Sequence, residues 1–157
     1  MQQQRGSSGF GQRPPQYSNS DRQPSFIDSD QYLRGGYFDG GHLRCELLTV
    51  DAKKVAEELQ RSRPTLNYGQ LRRFFAMIRY AELRLRAGRK FDEVKPQIYA
   101  LSPAAADACN RQVAPPIFWK FVDKNVKYAC QDERSFKEGF IQHFQSVICY
   151  YPRQSGQ

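Results

Sequence analysis

Gln70-Leu71-Arg72-Arg73-Phe74-Phe75-Ala76-Met77-Ile78-Arg79-Tyr80-Ala81-Glu82-Leu83-Arg84-Leu85-Arg86 is the stretch whose pattern decides the fold. At 100° per residue, Leu71, Phe74, Phe75, Ile78, Ala81 and Leu85 fall on one broad apolar face, which is the period of an amphipathic helix. Asn67 offers a helix start, and Gly88 offers the residue type that most readily closes one, so a long helix is predicted from about Asn67 to Ala87.

Outward from that helix the same period returns. Upstream, Val50 to Arg61 places Ala52, Val55, Ala56 and Leu59 on one face and Lys53, Lys54, Glu57 and Glu58 outside, with Thr49 or Asp51 as cap. Pro64 ends the connection, and Thr65-Leu66-Asn67 starts afresh. Downstream, Phe91 to Gln112 is helical but interrupted: Pro96 suits a first turn, and Ser102-Pro103 suits the start of a second short helix. Pro115-Pro116 opens a further segment, Ile117 to Cys130. The last helix, about Asp132 to Tyr151, repeats Phe136, Phe140, Phe144, Val147 and Tyr151 at spacings of four, four, three and four. Sustained period-two alternation is absent, which argues against a sheet. The expected fold is all-α, a small helical bundle of about five helices.

The chain has 157 residues, enough for one domain and a tail. Residues 1–32 contain almost no aliphatic side chains and are rich in Gln, Ser, Gly, Arg and Pro, which predicts a disordered low-complexity tail. The helical domain then spans 33–152, and 153–157 form a disordered C-terminus. Gly35-Gly36-Tyr37-Phe38-Asp39-Gly40-Gly41 reads as a turn that tucks its aromatic pair against the domain. No apolar run approaches the ~20 residues that cross a bilayer, and the first residues lack a secretory core, so a cytoplasmic protein without membrane contact is expected. Cys45, Cys109, Cys130 and Cys149 form no C-x-x-C pair and read as reduced, buried thiols.

Charge is concentrated. The net charge is +8, and Arg61 to Lys95 alone holds ten bases against three acids. On the long helix Arg72, Arg79 and Arg86 recur every seven residues along one flank, with Arg73 and Arg84 on the other. Lys120, Lys124 and Lys127 make a second stripe at i, i+4 and i+7. Two such stripes on one bundle are the footprint of a phosphate-backbone reader. A solvated face laced with ion pairs is the alternative, and Glu82 is almost the sole acid on the Arg-rich helix.

No catalytic constellation can be assembled. His42 lies in a glycine-rich turn and His143 on the last helix; a small ribonuclease using that pair as acid and base is the enzyme reading to be tested. Asp28-Ser29-Asp30 lacks a partner acid for a metal, and Asp92-Glu93 suits the negative first turn of a helix. Phosphate loops, nucleophile elbows and zinc motifs are missing. The sequence argues for a binder that needs no metal or cofactor.

Several strings together resemble one family. Gly36-Tyr37-Phe38-Asp39, Leu43-Arg44-Cys45-Glu46-Leu47-Leu48, Gln70-Leu71-Arg72-Arg73-Phe74-Phe75 and the closing Phe136 to Tyr151 are similar to the small helical subunit of type III-A CRISPR effector (Csm) complexes. The resemblance runs from about Gly35 to Pro152 and leaves out the long tail. It implies a non-catalytic subunit of antiviral defense, several copies of which stack along the crRNA–target RNA duplex beside a filament of backbone subunits, with the large subunit at hand. It also implies that the subunit grips target-strand phosphates. By match to the Gln-x-Arg-basic-Phe string, Gln70, Arg72 and Arg73 become the first candidates for RNA contact, and Arg79 follows. Arg84, Arg86, Lys120, Lys124 and Lys127 join them from the stripes. The family's middle helix often carries a Tyr-Ala-x-x-Arg-like stretch; here Tyr99-Ala100 leads to Leu101-Ser102-Pro103 and the next arginine is Arg111, the last candidate. The rival from another class is a stand-alone helical DNA-binding regulator.

Overall fold

The computed structural model describes residues 23–153. Among the described residues six α-helices follow a short hairpin: α1 Val50–Arg61, α2 Tyr68–Arg86, α3 Phe91–Tyr99, α4 Leu101–Asn110, α5 Pro116–Ala129 and α6 Ile141–Tyr150. The hairpin pairs β1 (Phe38–Asp39) with β2 (His42–Leu43) antiparallel. Gly40 and Gly41 between them both have positive φ, the left-handed backbone that a two-residue hairpin turn demands. A 3-10 turn, Cys45–Leu48, leads into α1, and a π-helical segment, Ser135–Phe140, leads into α6. The all-α reading holds, with this short ladder as the single exception among the described residues.

Helix boundaries follow local chemistry. Asn67 Oδ1 accepts from the Gly69 N–H at 2.6 Å, and Gln70 Oε1 accepts from the Asn67 N–H at 2.9 Å, so α2 starts on two satisfied donors. It closes where Gly88 takes φ +91°. Pro116 occupies the first turn of α5, where a missing N–H costs nothing. Thr49 does not cap α1 with its side chain; its hydroxyl donates back to the Cys45 carbonyl instead. Pro96 lies inside α3 and not in its first turn, because the helix already begins at Phe91.

The core is aromatic. Phe118, Phe121, Phe136, Phe140 and Phe144 are fully buried between α5, α6 and the π segment. α2 lies across them, with Phe74 edge-on to Phe118 at 4.8 Å and Phe75 stacked on Phe144 at 5.8 Å. α1 packs along α6, and α4 along α5.

The expected boundary of the tail is corrected. Residues 25–37 form an ordered strap over α1, α5 and α6, in which Ile27, Tyr32, Leu33 and Tyr37 are buried. The Ile27 N–H donates to Glu58 Oε2 at 3.0 Å, which is why Glu58, expected outside, is buried on α1. Lys124 Nζ donates to the Ile27 and Ser29 carbonyls, both at 2.8 Å, and Lys120 pairs with Asp28 at 2.7 Å. Leu33 takes φ +58° there, an unfavourable conformation for a bulky residue that its complete burial offsets. The expected tail over 1–22 and the last four residues of the expected C-terminal tail, 154–157, lie outside the described residues.

Beneath the strap runs a closed polar chain. His143 Nδ1 lies 2.6 Å from the Leu47 carbonyl, which can only accept, so Nδ1 carries the proton. Nε2 then accepts from the Tyr32 hydroxyl at 2.7 Å. Asn125 Nδ2 donates to Tyr32 Oη at 2.9 Å and to the Phe121 carbonyl at 2.8 Å, and the Tyr37 hydroxyl donates to Asn125 Oδ1 at 2.9 Å. Every buried polar atom in it has a partner, which ties strap, α5 and α6 into one unit.

Candidate nucleic-acid interface

The ten residues singled out for RNA contact separate by what already holds them. Arg79 and Arg86 both pair with Glu82, one from three residues before it and one from four after, and that clamp lets the carboxylate sit nearly buried. Lys120 and Lys124 hold the strap, as described, and Lys127 pairs with Asp123 at 2.8 Å. Each lysine of the second stripe on α5 therefore already has a partner within its own chain. The stripe does not form a continuous free surface with the arginines of α2.

Arg72, Arg73 and Arg84 are different. None has a carboxylate partner among the described residues. Arg72 and Arg73 are exposed and Arg84 half-buried, all on the side of α2 turned away from the core. Gln70 spends its oxygen on the helix start, so its amide N–H₂ group remains to donate.

Three candidates from two parts of the chain meet at one cleft. Gln70, Arg73 and Arg111 line a hollow of about 350 Å³ between α2 and the α4–α5 connection, with Phe74, Met77 and Ala114 among its apolar walls. Arg111 comes from the end of α4 and keeps an exposed pair with Asp107 at 2.9 Å. α2 supplies Gln70 and Arg73 one helical turn apart, and the short α4 brings Arg111 to them. An apolar floor rimmed by two guanidiniums and an amide donor suits an anion carried on a flat, apolar body.

Sequence reasoning missed an exposed apolar stripe. Met77, Tyr80 and Leu83 stand 44%, 59% and 60% exposed on the outer face of α2. Their spacing of three is a helical one, but these residues lie opposite the broad inner apolar face that dominates the pattern.

The histidine pair is not formed as a usable site. His42 is exposed on β2, whereas His143 is fully buried with both ring nitrogens engaged. Burial pushes its pKa down to about 4, so it stays neutral. No group of three or more metal-ligating side chains comes together among the described residues. The thiols also need correction: Cys130 is buried, with its pKa pushed by burial to about 11, but Cys45 and Cys149 are exposed because they fall on outer faces of their elements. No helix among the described residues is long and apolar enough to cross a membrane.

The profile of the family Csm2 Type III-A matches residues 42–157. The chain belongs to that family. It is thereby a small subunit of the type III-A CRISPR Csm complex. No curated protein and no solved structure shows a significant match to the chain. The family match begins at His42, so the strap that carries Ile27, Tyr32 and Tyr37 lies upstream of it. The Arg-rich α2 and the arginine of α4 lie within it.

Proposed function

We propose that this Csm2-family chain is a non-catalytic RNA-binding subunit that grips target-strand phosphates, several copies stacking along the crRNA–target RNA duplex beside the backbone and large subunits. One observation carries the reading: among the described residues α2 presents Arg72, Arg73 and Arg84 without carboxylate partners, in a segment holding nearly all the net charge. A guanidinium left unpaired by its own protein is available to a phosphate, with which it makes charge-assisted and often bidentate bonds. Contacts of that kind position a protein without reading bases, which suits a subunit that must accept any target. Gln70 and Arg111 add donors at the cleft beside Arg73.

The test is binding by the full chain to single-stranded RNA of several unrelated sequences and to duplex DNA of the same sequences. RNA binding that is salt-sensitive and indifferent to sequence is expected. Preference for one DNA duplex sequence would favour the stand-alone regulator instead. RNA cleavage by the wild-type chain that disappears on substitution of the exposed histidine, His42→Ala, would make the protein a ribonuclease.

A further inference from the structure

The outer face of α2 is built in three lanes. Ala76, Tyr80 and Leu83 run down its middle, Arg72, Arg79 and Arg86 along one side, and Arg73 and Arg84 along the other. Beside Tyr80 the gap between α2 and α3 opens into a hollow of about 430 Å³, lined by Ala76, Met77, Tyr80, Gln97 and Ala100. Contiguous exposed apolar surface of this kind marks an interaction site. Gln97 supplies a second sign. Its Oε1 is the one buried side-chain oxygen or nitrogen among the described residues without a hydrogen-bond partner, and such orphans call for an explanation.

We infer that Tyr80 is a stacking platform for an RNA base that is not paired in the crRNA–target duplex, seated in the hollow between α2 and α3, while Arg73 and Arg84 hold the adjoining phosphates. This rests on the phosphate-gripping role proposed above and adds base stacking to it. Charge selects the occupant: arginines on both sides of an apolar lane complement a strand that presents flat apolar bases between anionic phosphates. A second copy placed on this lane face to face would set guanidiniums against guanidiniums, which like-charge repulsion opposes. Every nucleobase carries at least one N–H donor on its pairing edge, so a turn of the Gln97 amide toward the hollow satisfies its oxygen with any base. Stacking on an aromatic ring is likewise tolerant of sequence, because each base has a π-face.

The test uses the full chain and a mixed-sequence single-stranded RNA of about 12 nucleotides, in the range of known single-strand site sizes, beside the same backbone made abasic. Tyr80→Ala is expected to weaken binding of the normal RNA roughly 5- to 150-fold, the loss typical of one stacked base. The slope of affinity against salt should stay the same, and binding of the abasic strand should not change. Tyr80→Phe, which keeps the ring, should recover most of the loss. Equal weakening on the abasic strand would overturn the inference, since Tyr80 would then be serving the backbone. Unchanged affinity with wild-type RNA binding intact would overturn it too, while leaving the phosphate reading standing. Loss of self-association in sedimentation without loss of RNA affinity would assign the lane to a protein neighbour. A wild-type chain that binds neither strand would overturn the phosphate reading itself, and the stacking site with it.

Discussion

Among single residues, His143 couples the fold to pH. The imidazole is neutral in the folded protein down to about pH 4, because burial disfavours its charged form, with Arg44 acting in the same direction against the Leu47 carbonyl. In the unfolded chain it takes up a proton near 6.5. Between these values the unfolded state holds the extra proton, so the stability contribution is whole above pH 6.5 and is lost as pH falls toward 4. The loss should be about 3 kcal/mol, measured by chemical denaturation of wild type and His143→Asn at pH 7.5 and pH 4.5; equal pH dependence in both would refute it. Gly139 is the second residue to test. A Cβ there would meet the Tyr37 ring at 2.5 Å, so the gain in helix propensity from Gly139→Ala is outweighed by overpacking. A net destabilisation of about 1–2 kcal/mol is expected in urea melts, and a stabilised variant would show that the ring moves aside freely. The division of the arginines was partly legible: Arg79 and Arg86 stand at −3 and +4 from Glu82, the spacing of helical ion pairs. What spacing does not reveal is that the clamped carboxylate is nearly buried, which removes both arginines from the free set.

Secondary-structure elements differ in how far local pattern exposes them. The run Phe136, Phe140, Phe144, Val147, Tyr151 is buried throughout, because helical period is a local property of the chain. The strap left no such trace. It has few apolar side chains, and its anchors are supplied from far along the sequence by Glu58, Lys124, Asn125 and His143. Composition alone therefore mistakes its first part, residues 25–32, for tail, while Leu33 and Tyr37 fall within the expected domain. Deleting residues 1–32 removes the buried Ile27 and Tyr32 and strips partners from Glu58, Asn125 and His143. Burying an isoleucine is worth roughly 1.5–3 kcal/mol, and each orphaned buried polar group costs about 1–3 kcal/mol. The thermal midpoint should fall by more than ~10 °C, at 2–4 °C per kcal/mol or more for a domain of this size. A midpoint within ~2 °C of wild type would mean that the strap adds nothing to stability.

Across the whole molecule, the consequence of sorting the bases is electrostatic and can be counted. Each phosphate neutralised on a single strand releases condensed counterions and adds about 0.7 to the log–log dependence of affinity on salt. The candidates without a carboxylate partner among the described residues are Arg72, Arg73 and Arg84, so replacing all three by Ala should lower that slope by roughly 2 for single-stranded RNA. The loss should be alike for unrelated sequences, since no base edge is given up. Helicity should survive, because none of the three lies on the face formed by Leu71, Ile78, Ala81 and Leu85. Lys120 and Lys124 supply the contrast. They carry the same charge, but one pairs with Asp28 and the other holds two strap carbonyls. Lys120→Ala with Lys124→Ala should therefore lower the melting temperature and leave the salt slope where it was. Titrations of both variants at four or more salt concentrations separate the two roles. A slope that falls with the lysines and stays with the arginines would reverse the assignment and move the RNA to α5.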